Sequence, residues 1–377
     1  MKIVQAYKLK DNNWNYYGEK QTLNNPLVLA FGNRYLLENK DVLADIRNEF
    51  PYEHIVFGSS AGEIINIDVV EESITVLAIE FEKSSFVIKR DNILDHNKDT
   101  LSLGTALSAK MPKENLKHLF IVSEGSFMSG TSLIKGFEHG FDKDIPMTGG
   151  LCGDDTRFER TLASYKEDPK EGEIILIGFY GDSLEISFAS HGGWLGFGPE
   201  RIITKSDGNV LYEIDDQPAL ELYKKYLGDK VEKLAESTLF YPLNVIAPGR
   251  KDAVVRTILS IDTEKQAMIF ADNVPENSRV QLMMASADGI SQGAYNAAKL
   301  AMQNREKKPQ LAIPVSCIGR KLVLSQRMEE EAELIKQLVG ENTAIAGFYS
   351  YGEIAPFYGN TSCEFHNQTM TLTLISE

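Results

Sequence analysis

The sequence predicts a mixed α/β (α+β) protein: two packed halves with mixed sheets flanked by helices, and a weak internal duplication. Three observations carry this. Continuous apolar runs at residues 27–31, 119–122 and 311–315 have strand length, and each is followed by helical periodicity. A second apolar run then ends on a small-residue turn with a carboxylate: Ser60-Ala61-Gly62-Glu63-Ile64, Cys152-Gly153-Asp154-Asp155 and Ser350-Tyr351-Gly352-Glu353-Ile354. The three units have comparable pitch, from Leu27 to Gly62, Leu119 to Gly153 and Leu311 to Gly352, and the second and third share a longer strand and helix order. Strand ends are where α/β sheets bind ligands, so three similar ends point to a shared pocket.

The elements follow in order. Residues 1–25 are polar and aromatic, broken by Asn12-Asn13 and Asn24-Asn25-Pro26, and are expected to form a short strand or arm. The strand at 27–31 closes at Gly32-Asn33. Val42, Leu43, Ile46 and Phe50 keep helical spacing until Pro51 stops it. Residues 55–57 lead into the first turn, and 73–81 with 85–90 give a pair of strands. In the second unit, the strand at 119–122 turns at Ser123-Glu124-Gly125, a helix is expected over 131–141, and Met147-Thr148-Gly149-Gly150 leads into the second turn. Residues 161–165, 173–180 and 184–190 are expected to form an antiparallel meander, closed by a glycine-dense loop from His191 to Pro199. An amphipathic helix is expected over 217–227, with Pro218 at its start and Gly228 at its end. Strands are expected at 242–246, 253–262, 267–270 and 280–285, then an alanine-rich helix over 289–304. The third unit has a strand at 311–315, a turn at Ser316-Cys317-Ile318-Gly319-Arg320, a helix over 328–339, a strand at 344–348 and a final strand at 368–375. No Pro/Gly/Ser linker separates the halves; their junction is expected near Lys205-Ser206-Asp207-Gly208.

With 377 residues, 43% hydrophobic and 25% charged, the chain has room for two domains of an ordinary soluble globular protein. No run approaches the roughly 20 apolar residues that span a bilayer, and the start Met1-Lys2-Ile3-Val4-Gln5 lacks a secretory core. Cys152, Cys317 and Cys363 are odd in number and far apart, which suits a reduced, cytoplasmic protein without a disulfide framework or zinc motif. A net charge of −15 argues against nucleic-acid or anionic-membrane partners and leaves room for a small anion held by local cations.

Several residues carry candidate chemistry. Gly58-Ser59-Ser60-Ala61-Gly62 matches the G-x-S-x-G nucleophile elbow, with His366 downstream, but 63–67 reads as extended rather than helical. The two readings are a serine nucleophile and a tight backbone turn. Glu63 and Glu353 are a general acid–base or ligand-binding pair if they meet, and caps of their own turns if they do not. Arg320 is either a fork for a carboxylate or phosphate or a structural clamp; Cys317 is either activated by Arg320 or an inert small hydrophobe. His191, near Trp194 and Phe197, is either an axial haem ligand or a hydrogen-bonded structural histidine. Tyr349, Tyr351, Phe357 and Tyr358 line a pocket or fill the core.

Taken in order, these segments resemble the FIST family over nearly the whole chain. The resemblance rests on Val56-Phe57-Gly58-Ser59-Ser60-Ala61-Gly62-Glu63-Ile64, His191-Gly192-Gly193-Trp194 with Gly196 and Gly198, and Ile214-Asp215 with Pro218-Ala219-Leu220-Glu221-Leu222-Tyr223. The C-terminal half adds Ser316-Cys317-Ile318-Gly319-Arg320, Gly347-Phe348-Tyr349-Ser350-Tyr351-Gly352-Glu353-Ile354 and His366-Asn367-Gln368-Thr369. The first turn departs from the family form, which resembles G-C-S-T-x-G-E. The resemblance implies a FIST N-terminal domain over 26–205 and a FIST C-terminal domain over 208–356, with the strand at 366–375 packing back on it. It implies a bacterial, cytoplasmic sensory protein binding a small ligand, an amino acid or related metabolite. No kinase, methyl-accepting or cyclase segment is recognised, so the signal is expected to pass to a separate partner such as a histidine kinase or cyclase.

The expected pocket gathers Ser60, Glu63, Arg320, Tyr349, Ser350 and Glu353 as polar lining and Trp194 as an apolar wall, a set suited to a ligand with a carboxylate and an amine. No catalytic residue, metal or cofactor is expected on this reading. The alternatives are a haem-binding nitric-oxide sensor, a role the family resemblance implies for some members, with His191 as the iron ligand that its aromatic neighbours suggest, and a serine hydrolase acting through Ser60.

Overall fold

A computed structural model describes residues 1–377 except 11, 142–144, 229–237, 358 and 360–361; Tyr358 therefore lies outside the described residues. Its centre is built from three six-stranded mixed sheets that share one core. The first runs Ala163–Tyr165, His54–Ser59, Leu27–Gly32, Ser73–Glu80, Lys2–Leu9, Asn15–Tyr17. The second runs Cys363–His366, Gly352–Pro356, Met147–Leu151, Leu116–Ser123, Glu173–Tyr180, Ser85–Asn92. The third runs Asp68–Val70, Glu63–Ile65, Ala344–Ser350, Leu311–Cys317, Met370–Ser376, Glu185–His191.

The apolar runs are continuous because these strands are buried on both faces. Leu27, Leu29 and Phe31 point into the shared core with Phe120, Val122, Ile175, Leu311, Ile313, Val315 and Phe348. The alternate residues Val28 and Ala30 pack outward under the helix Lys40–Glu49 through Leu43 and Ile46. The second sheet's outer face is covered by Thr100–Ala109 and Gly130–Gly140, and the third's by Ala287–Ala301 and Glu330–Val339. Gly104 of Thr100–Ala109 lies against Gly136, where a Cβ would meet the neighbouring backbone at 2.8–3.0 Å. Bare glycine backbones let the two helices cross closely.

The duplication is threefold, and its units exchange strands in a ring. Each unit lays a first strand parallel to a second, Leu27–Gly32 with His54–Ser59, Leu116–Ser123 with Met147–Leu151, Leu311–Cys317 with Ala344–Ser350. Each returns antiparallel beside the first strand, as Ser73–Glu80, Glu173–Tyr180 and Met370–Ser376. Between these, each turn sends a short strand into a neighbouring sheet. Glu63–Ile65 joins the third unit, Gly352–Pro356 joins the second, and Ala163–Tyr165 joins the first.

Several expectations change here. Residues 161–165, 173–180 and 184–190 are not a meander: they lie in the first, second and third sheets respectively. Alternating apolar strands look alike in sequence whichever sheet they enter, and the ring exchange separates them. Ser316 to Arg320 is not a simple turn, since Ser316 and Cys317 finish a strand and a helix, Ile318–Leu324, begins at once. The glycine-dense loop ends at Trp194, where the long strand Leu195–Asp207 begins.

That strand opens a fourth sheet, placed between the third unit's edge strand and the rest of that unit. Its order is Val254–Arg256, Leu243–Ile246, Arg279–Met284, Leu195–Asp207, Val210–Ile214, Ala267–Phe270, Ile258–Asp262, with Gln217–Pro218 beside Val210–Ile214. The helix Ala219–Leu227 packs on it through Leu220, Tyr223 and Leu227, with Pro218 as its N-cap residue. The expected junction near 205–208 falls on the hairpin turn between two strands of this sheet.

Candidate ligand-binding site

The three strand-end turns do converge, and their backbones close on one another. The Ala61 N–H donates to the Tyr349 carbonyl at 2.9 Å, and Tyr349 N–H to Gly62 at 2.8 Å. Gly153 N–H donates to Ser59 at 2.9 Å, and Tyr351 N–H to Leu151 at 3.2 Å. A Cβ on Gly153 would stand 2.8 Å from the Ala61 nitrogen, so glycine is required by this approach. The meeting point is therefore filled by backbone, and a hollow lies to one side.

Glu63 and Glu353 occupy equivalent places in the first and third units. Ser60 and Ser73 donate their hydroxyls to the Glu63 carboxyl. Glu353 accepts from the Ser350 hydroxyl at 2.6 Å and from the Thr369 N–H and hydroxyl at 3.1 and 2.9 Å. Burial raises both carboxyls to about 8, against the pull of those hydrogen bonds. Each glutamate thus bonds the serine of its own turn and ties that turn to a second segment, Glu63 through Ser73 and Glu353 through Thr369.

Arg320 is fully buried, and its guanidinium is engaged on all sides. Nε donates to Glu331 at 2.9 Å and Ser316 Oγ at 3.2 Å, and Nη2 donates to Glu331 and to the Ile290 carbonyl at 3.0 Å. Nη1 donates to the carbonyls of His191 and Gly192. Tyr349 donates to the other Glu331 oxygen at 2.8 Å. The Trp194 indole N–H donates to the Gln368 carbonyl at 2.9 Å. Arg320, Tyr349 and Trp194 are thus brought together as a framework behind the strand ends.

In front of that framework lies a cavity of about 210 Å³ between the central core and the fourth sheet. The core side supplies Ser126, Met128, Leu151, Phe158, Cys317, Ile318, Gly319, Tyr351, Phe365 and Gln368; the fourth-sheet side supplies Leu239, Thr257, Leu259 and Ala271. Gln368 ties the walls together, its amide N–H₂ donating to Thr257 Oγ1 at 3.0 Å and to the Leu239 carbonyl at 3.2 Å. Tyr351 stacks on Phe158 at 4.7 Å between ring centroids, and its hydroxyl donates to the Asp155 carbonyl at 2.9 Å. Glu159 is the charged residue in this lining, and it is held by Arg34 at 2.7 Å. The cavity suits a small, largely apolar molecule carrying one or two hydrogen-bonding groups.

None of the seven residues expected to line the pocket is in this lining. Ser350 and Arg320 stand beside the lining residues Tyr351 and Gly319 in sequence, Trp194 bonds the Gln368 carbonyl, and Tyr349 and Glu353 lie one step further back, bonded to Glu331 and to Ser350 and Thr369. Ser60 and Glu63 border a separate cleft of about 10 Å³, the size of one water, beside Lys321 and Asp155. Thr257, Phe365 and Gln368 went unnoticed as candidates; the signal for Gln368 was a large polar side chain set between two apolar strands.

The alternatives gain no geometry. His191 lines none of the cavities described, its backbone carbonyl accepts from Arg320, and its ring Nδ1 is buried without a hydrogen-bond partner among the described residues. Ser60 bonds to Glu63, while the His366 ring bonds to the Ala355 carbonyl at 3.0 Å and shares no hydrogen bond with it. The segment after Gly62 is a strand, as the sequence led one to expect. No helix among the described residues is long and apolar enough to cross a membrane.

Comparison with known proteins bears on the same segments. An uncharacterized protein of Mycobacterium tuberculosis is 24% identical over 274 residues, 68% of this chain and 67% of the relative. An uncharacterized protein of Methanocaldococcus jannaschii is 22% identical over 375 residues, 90% of this chain and 70% of the relative. Residues 26–217 match the model of the FIST N domain and residues 219–356 that of the FIST C domain. The chain belongs to the FIST family, whose domains are associated with sensing in signal transduction.

Proposed function

We propose that this protein is a cytoplasmic sensor that binds a small metabolite in the cavity between its central core and its fourth sheet, without turning it over. The observation that carries this reading is the cavity's lining: the segments around 316–320, 349–354 and 366–369 that mark the family all abut it. A ligand there touches both walls at once, through Gln368 and Tyr351 on one side and Thr257 and Leu259 on the other. Occupancy favours the arrangement in which the two walls are closest, and that bias passes to a separate signalling protein. Among the described residues the lining has no Lys, Arg or His, so the ligand is held there by hydrogen bonds and apolar contact rather than by an arginine fork.

The test is to purify the protein from a native-like host and identify what co-purifies by mass spectrometry. That compound should raise the melting temperature of the emptied protein and fail to do so in Ala271→Trp, whose indole fills the cavity. Equal stabilisation of the folded variant would refute the site. Release of a chemically altered product on incubation would refute binding without turnover.

A further inference from the structure

A second cavity, of about 220 Å³, lies on the other side of the same strands, between the hairpin Leu243–Ile246/Val254–Arg256 and the helix Gly130–Gly140. Alternation along the chain sets the two apart: Thr257 and Phe365 line the ligand cavity, whereas their neighbours Arg256 and Glu364 line this one. In a chain of net charge −15, it gathers Lys135, Arg250 and Arg256 against Asp252 and Glu364. Arg256 is 4% exposed, and two of its nitrogens are used: Nη1 donates to the Phe365 carbonyl at 2.8 Å and Nε to the Asn273 carbonyl at 3.3 Å. Among the described residues its Nη2 makes no hydrogen bond, only a long ion pair at 4.0 Å with the Glu364 carboxylate, which is already paired with Arg250. Lys135, exposed at the rim, has no ion-pair partner among the described residues.

A buried guanidinium with an uncommitted N–H₂, beneath a free ammonium and beside a second arginine, is a constellation that recognises oxyanions. We propose that this cavity is a second binding site, taking a small organic or inorganic oxyanion, a carboxylate or a phosphate ester, with Arg256 Nη2 at its floor and Lys135 and Arg250 at its mouth. The site is separate from the ligand cavity and goes beyond the sensor reading. Because Arg256 also holds the Phe365 carbonyl, an anion drawing on its guanidinium acts on a wall of the ligand cavity.

The test is isothermal titration of the full chain with inorganic phosphate and, separately, with acetate, at constant ionic strength set by chloride. One saturable site per chain is expected for at least one anion; phosphate alone would indicate a phosphate ester, acetate alone a carboxylate. Lys135→Ala and Arg250→Gln alter exposed side chains and should keep the native circular dichroism. Each should weaken binding by about five- to tenfold, the usual worth of one charge-assisted contact. Ala271→Trp should leave it unchanged, which separates this site from the ligand cavity. The proposal fails if neither anion gives a saturable signal, or if both charge variants bind as tightly as the parent.

Discussion

Replacing Glu63 and Glu353 together by glutamine should flatten an unusual pH dependence of stability. Both carboxyls are buried and raised from 4.5 to about 8, so the folded protein holds two protons at neutral pH that the unfolded chain has already lost. The unfolded state binds fewer protons across that interval, so stability falls as pH rises from 4.5 to 8 and levels off above it. Buried His118 and His366, pushed down by burial to about 3 and about 4, give the opposite slope, but only below their unfolded value of 6.5. The interval from about pH 6.5 to 8 is therefore free of the histidines' opposing slope, and at about 1.4 kcal/mol per pH unit each of the two carboxyls loses about 2 kcal/mol across it; Glu124, raised by burial, and the raised Met1 amine slope the same way and remain in the double variant. Glutamine reproduces the protonated form: at Glu353 its amide can donate to Ser350 and accept from Thr369, the present hydrogen-bond partners. Urea unfolding at several pH values should show the parent losing about 4 kcal/mol over this window and the double variant losing little. A parent whose stability is constant or rises, or a double variant that keeps the parent slope, would refute the assignment of neutral buried carboxyls.

Three further predictions concern the framework. Gly153→Ala should destabilise by about 1–3 kcal/mol in chemical unfolding, because the new methyl meets the Ala61 nitrogen at 2.8 Å where three turns already touch. Arg320→Met should cost about 3–5 kcal/mol by the same measurement, since it strands Glu331 in the interior, and adding Glu331→Gln should restore part of the loss. Phe348→Ala removes a ring stacked 4.2 Å from Phe31 in the shared core and should cost about 3–5 kcal/mol, lowering the melting temperature with no change in oligomeric state.

Much of the fold is legible in the sequence because burial on both faces writes itself as apolar runs, and the recurring turns mark where strands end. The runs at 27–31, 119–122 and 311–315 all became inner strands of the shared core. What the sequence does not carry is partnership. Nothing in Glu63–Ile65 or Gly352–Pro356 states that each will pair with another unit's sheet, because a strand's hydrogen bonds are made by backbone that every residue shares. The candidate site suffers from the same blindness. Arg320 looked like a ligand clamp because a guanidinium at a strand end can bind anions, and the partner that occupies it, Glu331, comes from a helix with an ordinary charged face. Gln368 and Thr257 gain significance only when two distant segments meet. The glutamates were more readable, since Ser60 and Glu63, like Ser350 and Glu353, stand three residues apart and bond within their own turns.

A crystal structure of the protein carrying the molecule that co-purifies with it tests the sensor account most directly. The account predicts density between the core and the fourth sheet, touching Tyr351 and Gln368 on one side and Thr257 or Leu259 on the other. Density lodged elsewhere, with that space filled only by solvent, would contradict it.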